Sequence, residues 1–319
     1  MERLEEYFKE ITWQKEPQNL YNPIYYTLLQ GGKRLRPRLV FMSTKLFGGN
    51  LTEALHPAAA FEMLHNFTLI HDDIMDNADI RRGQPTVYRQ WNGNIAILSG
   101  DALATLALQE MLHTNAKSDT VIALSKLLAQ TSLEICEGQQ RDLDFETQQT
   151  VHIEDYIDMI RNKTAVMLAG CLKAGAILSE TSVTNQNAIY DFGIYIGLAF
   201  QIKDDLLDVY GDDTTFGKKI GGDIRENKKT YPYLRALKDA DNQQKKDLQY
   251  YFSSSDFDEK QKFEAVKIIY QNLDIQKKSE QYIDSLVSQA LAILQNINCP
   301  EQNKQPFRDL AIELSCRTK

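Results

Sequence analysis

The sequence predicts an all-α fold, a single large helical bundle running through residues 1–319. Apolar positions recur at helical spacing almost end to end, clearest from Val121 to Gln139, Tyr190 to Tyr210 and Gln281 to Ile297. Helix breakers are sparse, 8 Pro and 16 Gly, while 43% hydrophobic residues suffice for a sizeable core. Gly and Asn clusters at Gly31-Gly32, Gly48-Gly49-Asn50, Asn92-Gly93-Asn94 and Gly221-Gly222 mark short connections between helices. No stretch reads as a linker, so one domain is expected. From Gly211 to Thr230, Gly, Asp, Lys and Thr replace the apolar period, which predicts a mobile polar loop.

Composition narrows the partners. A net charge of -8 argues against nucleic acid or an anionic membrane as the main partner. Cys136, Cys171, Cys299 and Cys316 show no Cys-x-x-Cys spacing, so neither structural zinc nor a disulfide framework is expected. Met1-Glu2-Arg3-Leu4-Glu5-Glu6 lacks a signal-peptide pattern, and no uninterrupted apolar run approaches the roughly 18 residues of a membrane span. The expectation is a soluble, cytoplasmic chain.

Asp-Asp-x-x-Asp occurs twice, as Asp72-Asp73-Ile74-Met75-Asp76 and as Asp204-Asp205-Leu206-Leu207-Asp208. On a helix, residues at i and i+4 share a face about 5–6 Å apart, so Asp72 pairs with Asp76 and Asp204 with Asp208. One acidic triplet is ordinarily a solvated surface. Two copies, each preceded by an apolar run such as Phe67-Thr68-Leu69-Ile70, read instead as walls of an internal cavity. Carboxylates there are costly unless compensated. Mg2+ compensates them while sharing its coordination with phosphate oxygens, so a polyphosphate ligand is expected.

Basic residues surround these motifs. Gly31-Gly32-Lys33-Arg34-Leu35-Arg36-Pro37 joins a glycine turn to three cations, without the Walker spacing of a P-loop. A helix continuing past the first motif would carry Arg81-Arg82-Gly83 a turn or two beyond Asp76, with salt bridges to Asp76 or Asp79 as the plain alternative. His65 lies on the same helix face as Asp72, two turns earlier. Lys218 and Lys228 flank the second motif. The count fits two anionic ligands, one held through metal.

The ordered set Gly-Gly-Lys-Arg-x-Arg-Pro, Asp-Asp-x-x-Asp, Arg-Arg-Gly, Gly138-Gln139-x-x-Asp142, Lys163-Thr164, Phe200-Gln201-x-x-Asp-Asp-x-x-Asp, Gly217-Lys218 and Lys228-x-Thr230-x-Pro232 resembles the trans-isoprenyl diphosphate synthases of the polyprenyl synthetase family. The resemblance runs from Gly31 to Pro232, and its short-chain geranylgeranyl and farnesyl members match best. It implies an isoprenoid synthase bundle with a deep central cavity, a homodimer, and three Mg2+ ions on an allylic diphosphate. By the same resemblance Asp72, Asp76 and Asp204 are direct ligands, and Asp208 belongs to the metal site through water, with Asp73 and Asp205 behind. Lys33, Arg36, His65 and Arg82 would bind isopentenyl diphosphate. Arg81, Lys163, Thr164, Gln201, Lys218 and Lys228 would face the allylic diphosphate. The backbone carbonyls of Lys163 and Thr164, where the helix is locally opened, and the side-chain carbonyl of Gln201 would steady the allylic cation.

Phe67, five residues before Asp72, would end chain growth about one isoprene unit below the metal, with the small Thr68 beside it. A C15–C20 product follows, geranylgeranyl favoured. The alternatives are a longer-chain synthase, a class I terpene cyclase, or a non-catalytic synthase subunit. A cyclase would not need Lys33, Arg36 and His65, and non-catalytic subunits generally lose acidic motifs that are complete here.

Overall fold

The computed structural model describes residues 2–11, 15–211, 220–253 and 257–315. The helices are α1 (Glu2–Glu10), α2 (Gln18–Leu29), α3 (Leu35–Leu46), α4 (Leu55–Met75), α5 (Val87–Gln90), α6 (Gly93–Leu112), α7 (Ser118–Thr147), α8 (Ile153–Ile160), α9 (Val166–Leu178) and α10 (Val183–Tyr210). They continue as α11 (Gly222–Arg225), α12 (Tyr231–Asp239), α13 (Asn242–Tyr251), α14 (Glu259–Asn272), α15 (Ile275–Asn296) and α16 (Gln305–Ser315). A π-helical turn, Arg161–Ala165, joins α8 to α9. Among the described residues the only strands are β1 (Ile80–Arg81) and β2 (Gln84–Pro85), an antiparallel pair. The protein is all-α, as the apolar period implies.

The helices α7, α10 and α15 each start before the periodic stretch within them, at Ser118, Val183 and Ile275, because polar residues interrupt the apolar stripe of their first turns. The glycine-rich punctuation marks real boundaries. Asn92 caps α6 by accepting the Ile95 N–H at 3.0 Å. Gly221, at φ 80°, starts α11.

The chain divides into two compact units, Met1–Ser132 with Gly170–Tyr190, and Leu133–Ala169 with Asp191–Lys319. In the first, α4 packs extensively on α6 and on α3, with Ala58, Ala59, Ala60, Phe61, Leu103 and Ala107 fully buried. In the second, Gly197 of α10 lies so close to Ala165 that a Cβ would approach its Cα to 2.5 Å, which draws α10 onto the π-helical turn. Phe192 of α10 and Phe307 of α16 pack edge to face at 5.8 Å.

By length and composition α6 is the one described helix apolar enough to cross a membrane. It packs on α4 and α2, and its buried Glu110 accepts from Tyr7 and contacts His56, each at 2.6 Å.

Candidate active site

Both acidic motifs occupy the last turns of long helices. Asp72 lies within α4, and Asp76 is its C-cap, its N–H donating to the Asp72 carbonyl at 2.8 Å. Asp204 and Asp208 lie just before the end of α10. A helix C-terminus carries partial negative charge, so acidic side chains there disfavour the folded state unless a cation offsets them. Asp72, Asp204 and Asp208 are half-buried and Asp76 is exposed. Among the described residues no three His, Cys, Asp or Glu side chains converge as a ready metal cage. Paired carboxylates without nitrogen or sulfur donors suit Mg2+, which shares its shell with ligand oxygens.

The chain does not continue as a helix past Asp76. Asn77 turns left-handed at φ 50°, and a tight hairpin follows with Ile80 opposite Pro85 and Arg81 opposite Gln84. Its two loop residues, Arg82 and Gly83, both have positive φ, 52° and 75°, the geometry that matches strand twist in a two-residue turn. Thr86 secures the base by donating its hydroxyl to the Ala78 carbonyl at 2.8 Å. The hairpin folds Arg81 back on the first motif, where its Nε donates to Asp73 Oδ1 at 2.7 Å. Asp73 is thus buried as an ion-pair partner, and Asp79 instead pairs with Arg89 at 2.6 Å. Arg81, Arg82, Asn66, Asp73 and Thr86 line one narrow recess.

The glycine turn adjoins this hairpin. Gly31 and Gly32 have φ of 73° and 128°. A Cβ on Gly32 would come within 3.3 Å of the Arg82 guanidinium carbon, so glycine permits the approach of turn to hairpin. Pro37 falls in the first turn of α3, where its missing N–H loses no helical bond. Lys33 is exposed and Arg36 half-buried. His65 is held well below the usual imidazole pKa by desolvation and then by Arg36, Arg82, Arg81 and Arg34. Desolvation also lowers Arg82, the neighbouring cations Arg34, Arg81 and Arg36 adding to it and Glu62 opposing. Phe67 is half-buried, its ring edge-on to His71 at 4.8 Å, and Thr68 donates its hydroxyl to the His65 carbonyl at 2.8 Å.

In the second unit the opened helix stands where the Lys163-Thr164 motif lies. The i→i+5 bonding of a π-helical turn displaces backbone carbonyls from the regular ladder. Gly138 of α7 packs against this turn so tightly that a Cβ would meet the Lys163 nitrogen at 2.3 Å. Lys163 donates to Asp142 at 2.5 Å. Thr164 donates to Gln201 Oε1 at 2.9 Å, and Gln201 Nε2 donates to Asp205 Oδ1 at 3.1 Å. The buried Asp205 also accepts from the Tyr156 hydroxyl and, at 3.5 Å, from the Tyr231 N–H. Desolvation raises its pKa to about 7 against those hydrogen bonds.

Asp208 accepts the Gly222 and Asp223 N–H groups at 3.1 and 3.0 Å, tying α10 to α11. Lys228 pairs with Glu226 at 3.0 Å. Lys218, and most of the polar segment before it, lie outside the described residues; of the expected 211–230 loop, 222–225 is helical. Sequence reasoning missed Tyr156, Asn66 and Glu62. None sits in a recognisable spacing.

The polyprenyl synthetase family model matches residues 17–269. The short chain isoprenyl diphosphate synthase of Methanocaldococcus jannaschii is 38% identical over 279 residues, 87% of this chain and 84% of its own length. The geranylgeranyl diphosphate synthase of Methanosarcina mazei is 40% identical over 221 residues, 69% of this chain and 68% of its own. The crystal structure of geranylgeranyl pyrophosphate synthetase from Pyrococcus horikoshii Ot3 superposes with a TM-score of 0.92 at 33% identity, covering 99% of this chain and 95% of that one. The fold is that of the isoprenoid synthases, and the chain belongs to the polyprenyl synthetase family.

Proposed function

We propose that this protein condenses isopentenyl diphosphate head to tail with an allylic diphosphate, giving an all-trans C15–C20 prenyl diphosphate, geranylgeranyl favoured. The observation that carries the reading is the close approach of the Gly31-Gly32 turn, with its cations, to Arg82, on a hairpin whose Arg81 pairs with Asp73 of an acidic motif at a helix C-terminus. Cations set beside carboxylates that themselves need a cation fit a diphosphate better than any neutral ligand. The names of the relatives support the short-chain assignment.

In this reading Asp72, Asp76, Asp204 and Asp208 hold Mg2+, three ions with the allylic diphosphate bound, backed by Asp73 and Asp205. When bound, Mg2+ neutralises the charge that develops on the leaving diphosphate. Arg81, Lys163, Lys218 and Lys228 grip the same diphosphate, while Lys33, Arg36, His65 and Arg82 take isopentenyl diphosphate. The carbonyls of Lys163, Thr164 and Gln201 present fixed dipoles to the developing allylic cation without a nucleophile that would trap it. The isopentenyl double bond attacks that carbon, and the proton leaves to the released diphosphate. Phe67, with Thr68, sets the length.

A homodimer is part of the proposal, supported by the exposed apolar residues Ile97, Leu98, Leu108 and Leu112 of α6. So is a cytoplasmic location, with Cys171 and Cys299 as free thiols. Diphosphate release is the direct test: it should need isopentenyl diphosphate, an allylic diphosphate and Mg2+ together. Release from the allylic substrate alone would point to a cyclase.

A further inference from the structure

Arg34 is the cation of the glycine turn that the proposed chemistry leaves unused, and it is the buried one. Its side chain is 3% exposed. Nε and Nη2 donate to the two oxygens of Glu5 at 2.7 and 3.2 Å, Nη1 to Glu62 at 2.7 Å, and Nη2 also to the Leu28 carbonyl at 2.6 Å. The guanidinium carbon lies 5.4 Å from the Phe8 ring centroid. Three elements therefore meet on one side chain: α1 through Glu5 and Phe8, the end of α2 through Leu28, and α4 through Glu62. With two carboxylates against it, Arg34 has no charge left for a ligand.

Its backbone is equally constrained. Arg34 adopts φ 46° and ψ 42°, a left-handed conformation unfavourable for a residue with a Cβ, and it caps α3 from that geometry. The side-chain contacts hold this conformation at the residue that lies between Lys33 and the start of α3, whose first turn carries Arg36. A second connection runs through side chains. Glu62 Oε1 also accepts from Asn66 Nδ2 at 3.4 Å, and Asn66 Oδ1 accepts from Arg82 at 3.4 Å. Gly32 closes the circuit against the Arg82 guanidinium.

We infer that Glu5, Arg34 and Glu62 form a positioning triad, through which the N-terminal helix presets Lys33, Arg36 and Arg82 for the diphosphate of the homoallylic substrate. The inference rests on the assignment of those cations to isopentenyl diphosphate made above. Arg34 acts through its neighbours and touches no substrate. Loss of the triad should loosen one substrate's site and spare the other.

The test is steady-state kinetics of Arg34→Gln, Arg34→Lys and Glu5→Gln beside wild type, each checked for native helix content. Preorganisation lost at one subsite predicts a KM for isopentenyl diphosphate raised about tenfold, with KM for the allylic diphosphate and kcat within about twofold. Arg34→Lys should behave as Arg34→Gln, because an ammonium cannot reproduce the planar fork that serves three acceptors. Glu5→Gln, which keeps Arg34 on Glu62 and Leu28, covers the case in which Arg34 variants fail to fold, and should show the same split more weakly. Equal rises in both KM values, or folded variants with unchanged KM for isopentenyl diphosphate, overturn the triad while the synthase reading stands. A wild type that never consumes isopentenyl diphosphate overturns both.

Discussion

Thr164 donates its hydroxyl to the side-chain carbonyl of Gln201 at 2.9 Å, and the amide nitrogen of the same Gln201 is committed to Asp205 at 3.1 Å. The two bonds fix which end of the amide faces the π-helical turn. Asp205, buried and held in turn by Tyr156, keeps the carbonyl beside Thr164. A freely flipping amide would present N–H groups there half the time, which an allylic cation cannot use.

Gln201→Leu should therefore lower kcat on the order of 10²-fold, the scale seen when one preorganised dipole is removed from a reacting centre. Thr164→Val, which keeps the Asp205 anchor, should cost less. Single-turnover rates with the allylic substrate saturating check both. A Gln201→Leu enzyme at full rate contradicts the assigned role.

Phe67→Ala should lengthen the product. Phe67 is half-buried against His71, so removing the ring opens space without the full penalty of emptying a core site. Chromatography of the dephosphorylated products reads the change, and an unaltered length shows that Phe67 is not the floor.

Metal dependence should appear in stability as well as rate. A cation at Asp72 and Asp76 relieves acidic groups at a helix C-terminus. Mg2+ with diphosphate should raise Tm, and Asp72→Asn should blunt the rise. Chelation should abolish turnover and Mg2+ restore it.

His65 gives a pH signature. Its folded pKa lies well below the usual value because desolvation and Arg36 oppose its charge. The unfolded chain then binds the extra proton first, so His65's contribution to stability is present above about pH 6.5 and is lost as pH falls through the folded value. His65→Gln should flatten that limb of a Tm–pH profile. Through His65 alone, KM for isopentenyl diphosphate should stay level between about pH 6.5 and 8, where the ring stays neutral.

Much of this was legible in the residues. The Asp motifs lie on helices because Leu, Ile and Phe keep helical spacing up to them, and Gly31-Gly32 turns because no other residue so readily adopts positive φ. Arg81-Arg82-Gly83 was not legible as a hairpin: Asn77 ends the helix in a conformation its sequence neighbours do not demand, and only Gly83 hints at the turn. Arg34 was equally hidden. In a run of three cations nothing in the spacing says which one is buried, and its partners Glu5 and Glu62 are 29 and 28 positions away. The π-helical turn leaves no mark in composition, and its place followed from resemblance alone.

The central claim is chain extension by isopentenyl diphosphate, and product analysis tests it most directly. Labelled isopentenyl diphosphate would be incubated with dimethylallyl, geranyl or farnesyl diphosphate and Mg2+, and the dephosphorylated prenols separated. The account predicts extension of each primer to a discrete all-trans product within C15–C20, dominated by C20. No extension of any primer, with folded protein and Mg2+ present, would contradict it.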